Sequence, residues 1–151
     1  MPELITAELR SQVGLSPEPR TELVTRRDIR KYSVATGQRL SKYLDGDEAP
    51  PLFHLALFWD VVEQSQLSPD GVALDNWLPE FPLERAMAGS LKLEYHQPIL
   101  PGQTLTARRT LCDMFEKQGS SGPLFFYEVS TEVVDASDSI VLIEHATRIL
   151  R

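Results

Sequence analysis

Cysteine is nearly absent from this chain. Cys112 stands alone, so no disulfide can close within the sequence and no set of thiolates can hold a zinc ion. A thiol nucleophile needs a base beside it, and His96 or His145 are the candidates. The plainer reading of Cys112 is a small buried residue in a strand. Long apolar runs are missing as well. None is long enough to cross a bilayer, and residues 1–10 lack the basic start and apolar stretch of a signal peptide. A cytoplasmic location without membrane contact is therefore expected. Positive charge is scarce: 15 Lys and Arg face 22 Asp and Glu, for a net charge of -7. Nucleic acid is not an expected partner, because binding phosphate backbones needs clustered cations. One basic cluster exists, Arg26, Arg27, Arg30 and Lys31. It reads as a solvated helix face, with a local phosphate site as the alternative.

What is present is an ordinary globular composition, 42% hydrophobic and 25% charged over 151 residues. That length suits one domain spanning 1–151, with 1–20 as an N-terminal extension. Residues 1–19 read as a short helix and a loop around Pro17 and Pro19. Thr25 followed three positions later by Asp28 is a helix start: the hydroxyl caps free N–H groups and the carboxylate favours the positive helix end. Ile29 and Tyr32 give that helix an apolar face, and Gly37 ends it. Residues 38–51 form a loop closed by Pro50 and Pro51. Residues 52–62 are so continuously apolar that they predict a helix buried on nearly all sides. Residues 64–83, with Pro69, Gly71, Pro79 and Pro82, are irregular and long enough to be a covering loop.

Alternation then takes over. Strands are predicted over 90–95, 105–114, 124–134 and 140–150, separated by turns at 98–102, 118–123 and 135–139. A buried helix followed by consecutive antiparallel strands predicts an α+β fold, a sheet wrapped round a central helix, which is the hotdog arrangement. Neither a repeat nor a low-complexity segment interrupts it.

Four stretches in order resemble the MaoC-like acyl-thioester hydratase/dehydratase group. They are TRRDIRKY at 25–32 with ATG at 35–37, APPLFH at 49–54, RAMAG at 85–89 running into LEYHQPI at 93–99, and KQGSSGPLF at 117–125. The likeness spans roughly 20–151. It is strongest to the N-terminal, noncatalytic hotdog half found in mesaconyl-CoA and itaconyl-CoA hydratase-like proteins. Active members of the group carry a segment of the form S-G-D-x-N-P-x-H-x-D, whose Asp and His form an acid/base pair. Laid from Thr36, that segment places Gln38 at the Asp position and Tyr43 at the His position, while Gly37 and Asp45 match. Gln38 does not titrate, and an unperturbed tyrosine titrates near pH ~10. The resemblance thus implies no catalytic residue in this chain.

What it implies instead is a substrate-binding subunit of a heteromeric enoyl-thioester hydratase or dehydratase. The Asp/His pair would come from a separate MaoC-like hotdog subunit. No cofactor or metal is implied, since coenzyme A or acyl carrier protein enters as part of the substrate. The alternatives are a homodimeric module that binds acyl thioesters without turnover, and a hotdog thioesterase using Asp60 or Glu63 near the central helix. The candidate binding residues are His54, Tyr43, Trp77, Lys117 and Ser120. His54 reads either as a hydrogen-bonded core histidine or as a wall of the acyl tunnel, where free first-turn N–H groups would polarise a thioester carbonyl. Tyr43 would fill the space of the missing histidine. Trp77, in the long loop, would cover an acyl group or pack in the core, and Trp59 would make a core or dimer contact. Lys117 and Ser120 belong to a hairpin turn that could touch pantetheine or phosphate. His96 and His145 read as edge, interface or solvent-facing residues, and Asp45 as a loop hydrogen-bonding residue.

Overall fold

The computed structural model describes residues 3–69, 71, 73 and 75–151. Helix α1 (Ala7–Arg10) precedes strand β1 (Arg20–Leu23) and helix α2 (Arg26–Ala35). Short helices α3 (Ser41–Leu44) and α4 (Phe53–Leu57) follow. After an irregular stretch with one turn of 3-10 helix come β2 (Ala86–Tyr95), β3 (Thr104–Gly119), β4 (Gly122–Val134) and β5 (Ile140–Leu150). All five strands join one antiparallel sheet in the order β1-β3-β4-β5-β2.

The four strands expected from alternation are all there, and the side-chain period decides their faces. On β5, Leu142, Glu144, Ala146 and Leu150 are buried on the inner face. On β4 the inner positions are Phe125, Tyr127, Thr131 and Val133, and on β3 they are Leu105, Ala107 and Leu111. The inner face carries two apolar clusters. One joins Leu105, Val133 and Leu142 to Ile29 of α2 and Phe53 of α4. The other joins Leu111, Met114 and Phe125 to Ile5, with Leu4, Leu9, Phe81 and Leu83 packed against it. The N-terminal residues thus help to cover one end of the sheet.

Helix α2 starts as its sequence requires: the Thr25 hydroxyl accepts from the Asp28 N–H at 3.0 Å. Gly37 then takes a φ of 70° that suits glycine. A second glycine is fixed by contact. Gly46 has φ 75°, and a Cβ there would stand 2.7 Å from both the carbonyl oxygen and Cγ of Arg26. The loop therefore lies directly on α2.

Three expectations need correction. The apolar stretch 52–62 is helical only over Phe53–Leu57, and it is not buried all round: Trp59 is 62% exposed and Val61 fully exposed. The reason is Arg20 on β1. Its guanidinium donates to the Phe58 carbonyl at 2.8 Å and bonds the Asp60 carboxylate, so the chain leaves the helix there. Cys112 is exposed instead of buried. The ladder shifts register between Leu111 and Asp113, so Cys112 is the extra residue of a β-bulge. Two short elements also went unseen: β1, in a stretch given no assignment, and α3, inside the presumed loop 38–51. Four and four residues give no period to read.

Candidate functional site

Because α4 is so short, the sheet beyond it is left uncovered. A cavity of about 480 Å³ occupies that space. Its helix side is His54, Leu55, Phe58 and Trp59, and its loop side includes Asp75, Leu78 and Phe81. Its sheet side is Ala107, Arg109, Tyr127, Thr131, Glu144 and Arg148. A second cavity of about 430 Å³ lies on the other flank of α4, between Tyr43, Pro50, Pro51, Tyr95 and His96. His54 belongs to the walls of both.

The polar centre of the larger cavity is a pair. His54 Nε2 lies 2.5 Å from a carboxylate oxygen of Glu144. The histidine is 2% exposed and the glutamate 7%. The other ring nitrogen, Nδ1, is buried and has no hydrogen-bond partner. Two further ion pairs line the same space, Arg20 with Asp60 and Arg109 with Asp75 at 3.3 Å. Arg148 has no carboxylate partner among the described residues. Burial raises the Tyr127 phenol above its ordinary range; Asp75 adds to the shift and Arg148 opposes it.

The residues singled out from sequence are thus divided. His54 is at the heart of the site, but not as a histidine with both nitrogens satisfied. In the first turn of α4 the N–H groups of Leu52, Phe53 and Leu55 bond Tyr95 Oη, the Pro50 carbonyl and the Leu52 carbonyl, so these three donors are not free to polarise a thioester carbonyl. Tyr43 lines the second cavity. Gln38 is half-buried just past α2, its N–H bonded to the Ser33 carbonyl. Trp77 packs against the second apolar cluster, with the Arg109 guanidinium 5.2 Å from its ring centroid. It positions an arginine of the cavity rather than lining the cavity itself.

Lys117 and Ser120 lie away from both cavities. The Lys117 ammonium stands over the stacked rings of Phe115 and Phe126. His145 is exposed on β5, and His96 pairs with Glu94 at 2.9 Å. Asp45 is an exposed loop residue whose carbonyl accepts from Arg26. Asp60 is held by Arg20, and Glu63 is exposed.

Sequence reasoning missed Glu144, Arg148, Arg109, Arg20 and Thr131. A signal for the first two was present. In β5 they fall in phase with Leu142, Ala146 and Leu150, so charge stands where the alternation calls for apolar residues.

With this arrangement in view, the comparisons with known proteins define the class. Residues 11–144 match the family described as FAS1-like, dehydratase domain region, and the chain belongs to that family. Among curated proteins, it is 33% identical over 85 residues to mesaconyl-C(4)-CoA hydratase of Chloroflexus aurantiacus. That match covers 56% of this chain and only 30% of the relative's length. Among solved structures, it is similar to the ChsH1-ChsH2 complex from Mycobacterium tuberculosis, with a TM-score of 0.69, 18% identity, and coverage of 95% of this chain and 87% of that one. It is also similar to the R-hydratase PhaJ1 from Pseudomonas aeruginosa, with a TM-score of 0.62, 17% identity, and coverage of 91% and 81%. A MaoC-like dehydratase from Phytophthora capsici gives a TM-score of 0.64 at 18% identity, over 93% of this chain and 48% of that one. The fold is the α+β hotdog, and the family is the MaoC-like hydratase/dehydratase family.

Proposed function

We propose that this chain is the substrate-binding, noncatalytic subunit of a heteromeric enoyl-thioester hydratase or dehydratase. The observation that carries the reading is the pairing of an open cavity with an emptied proton-transfer motif. The cavity of about 480 Å³ is in the range that houses a small acyl group. Gln38 and Tyr43 stand where active relatives keep Asp and His, and a general base must titrate near the working pH. The Asp/His pair then comes from a second MaoC-like hotdog subunit in the cytoplasm. Coenzyme A or acyl carrier protein serves as the substrate's handle, with no separate cofactor. Strand β2 supports such an assembly. It is the last strand of the sheet, and nine of its ten residues are exposed. Its free edge offers a ladder to another strand. Chains of similar fold occur within the solved ChsH1-ChsH2 complex and within the HadBC (3R-hydroxyacyl-ACP dehydratase) complex, both from Mycobacterium tuberculosis.

The test is reconstitution. The purified chain should show no loss of enoyl-thioester absorbance by itself. Adding the Asp/His-bearing hotdog subunit recovered with it by pull-down should restore hydration. Turnover at an ordinary enzymatic rate by the chain alone would overturn the assignment. Tight acyl-CoA binding with no partner recovered would favour the homodimeric binding module. Release of free coenzyme A would favour a thioesterase.

A further inference from the structure

The larger cavity has a second space behind it. Residues 78–82 run between the two. On one side is the cavity of about 480 Å³, lined by Leu78, Pro79 and Phe81. On the other is a groove of about 450 Å³ against the N-terminal segment, where Leu4 and Leu9 face Pro79, Glu80, Phe81 and Pro82. Pro79 and Phe81 belong to both walls, whereas Leu78 lines only the cavity, and Glu80 and Pro82 only the groove. The segment is therefore a partition.

Phe81 is the anchored part of that partition. Its ring stacks on Tyr127, with centroids 4.6 Å apart and planes at 22°, and its centroid lies 5.0 Å from that of Phe125. Both partners are buried residues of β4, so the sheet holds the ring in place. The partition is also an apolar stretch of the cavity wall. Among the charged groups of that wall, Arg20 pairs with Asp60, Arg109 with Asp75 and Glu144 with His54. Leu78, Pro79 and Phe81 carry no charge. An alkyl tail entering the cavity gains most by lying toward these three, because there it leaves water without stranding a polar group.

We propose that Phe81 sets the length of the acyl tail that this protein holds. The tail runs through the cavity until it meets the ring, and the groove against Leu4 and Leu9 is its continuation once the ring is gone. The proposal rests on the substrate-binding reading and adds the residue that limits what is bound. Each methylene buried on binding raises affinity about fourfold, so a homologous series locates the stop directly.

The experiment is calorimetric titration of the full chain with the even-numbered saturated acyl-CoAs from butyryl to lauroyl. In the unaltered protein, affinity should climb about fourfold per methylene and then level off at one chain length. In Phe81→Ala the stop should move to a longer acyl group. The acyl-CoA one step beyond the original stop should then gain about fifteenfold over the one at it, the worth of two methylenes. Phe81→Leu keeps an apolar side chain in the cluster and should shift the stop in the same direction by less. It carries the test if the alanine variant does not fold. Adding Leu9→Trp, which fills the groove, should return the stop to its original place, a result that a purely structural role for the ring would not give. A stop that neither Phe81 variant moves, a moved stop that Leu9→Trp does not restore, or a series without a stop in the unaltered protein overturns this inference and leaves the substrate-binding reading intact. Failure of every acyl-CoA to bind the unaltered protein overturns both.

Discussion

Removing one member of the His54–Glu144 pair should cost far more than removing both. Each side chain is more than nine-tenths buried, and the two are 2.5 Å apart. Glu144→Leu strips the imidazole of the one partner it has, leaving two buried nitrogens unmet. His54→Phe leaves a carboxylate in the core with no counterpart. Losing one partner of a buried pair costs about 3–5 kcal/mol, whereas replacing both with apolar groups of similar volume is often near neutral. Domains of this kind have total stabilities of about 5–15 kcal/mol, so each single variant should lose a large share of its stability. The double variant should recover most of the loss. Urea unfolding followed by tryptophan fluorescence measures all four proteins, and an unchanged m-value validates the comparison. The coupling energy should exceed about 2 kcal/mol. Single losses under about 1 kcal/mol that simply add would show that the pair is not a buried, mutually dependent unit.

Other perturbations follow from the local geometry. Gly46→Ala should destabilise by at least about 1 kcal/mol in the same urea assay, since its φ of 75° penalises a Cβ and Arg26 occupies the space. Thr25→Ala should cost about 1 kcal/mol by leaving the Asp28 N–H uncapped, and Thr25→Ser should restore most of it. Asp135 accepts from the backbone N–H groups of Ser137 and Ser139, and these bonds hold its carboxyl below the usual range. Its ionised form therefore stabilises the fold above the unfolded-state pKa, and that contribution is lost as pH falls through the folded value. Stability measured from neutral to acid pH should decline less steeply in Asp135→Ala, which starts lower.

Much of the sheet was legible because alternation is written residue by residue. The four long strands and their turns follow from where Leu, Val and Phe recur. The cap at Thr25 and the stop at Gly37 were equally local. The length of α4 was not, since its end is set by Arg20, which lies more than thirty residues away and carries no periodic mark. Cys112 was misplaced for a related reason: a bulge shifts the phase of β3, and nothing in LCDM announces it. At the site, His54 was found from its position beside Pro51. Glu144 and Arg148 were passed over although they break the apolar phase of β5. A charge that falls in step with buried neighbours is the sign that should have been read.

The grip of Arg20 on Phe58 and Asp60 has a wider consequence. One guanidinium bonds the chain on both sides of Trp59, and Arg20, Phe58, Trp59 and Asp60 all line the chamber of about 480 Å³. The edge strand β1 therefore reaches past the core to shape the room kept for cargo, and a substitution at Arg20 would act on stability and on the chamber's wall together.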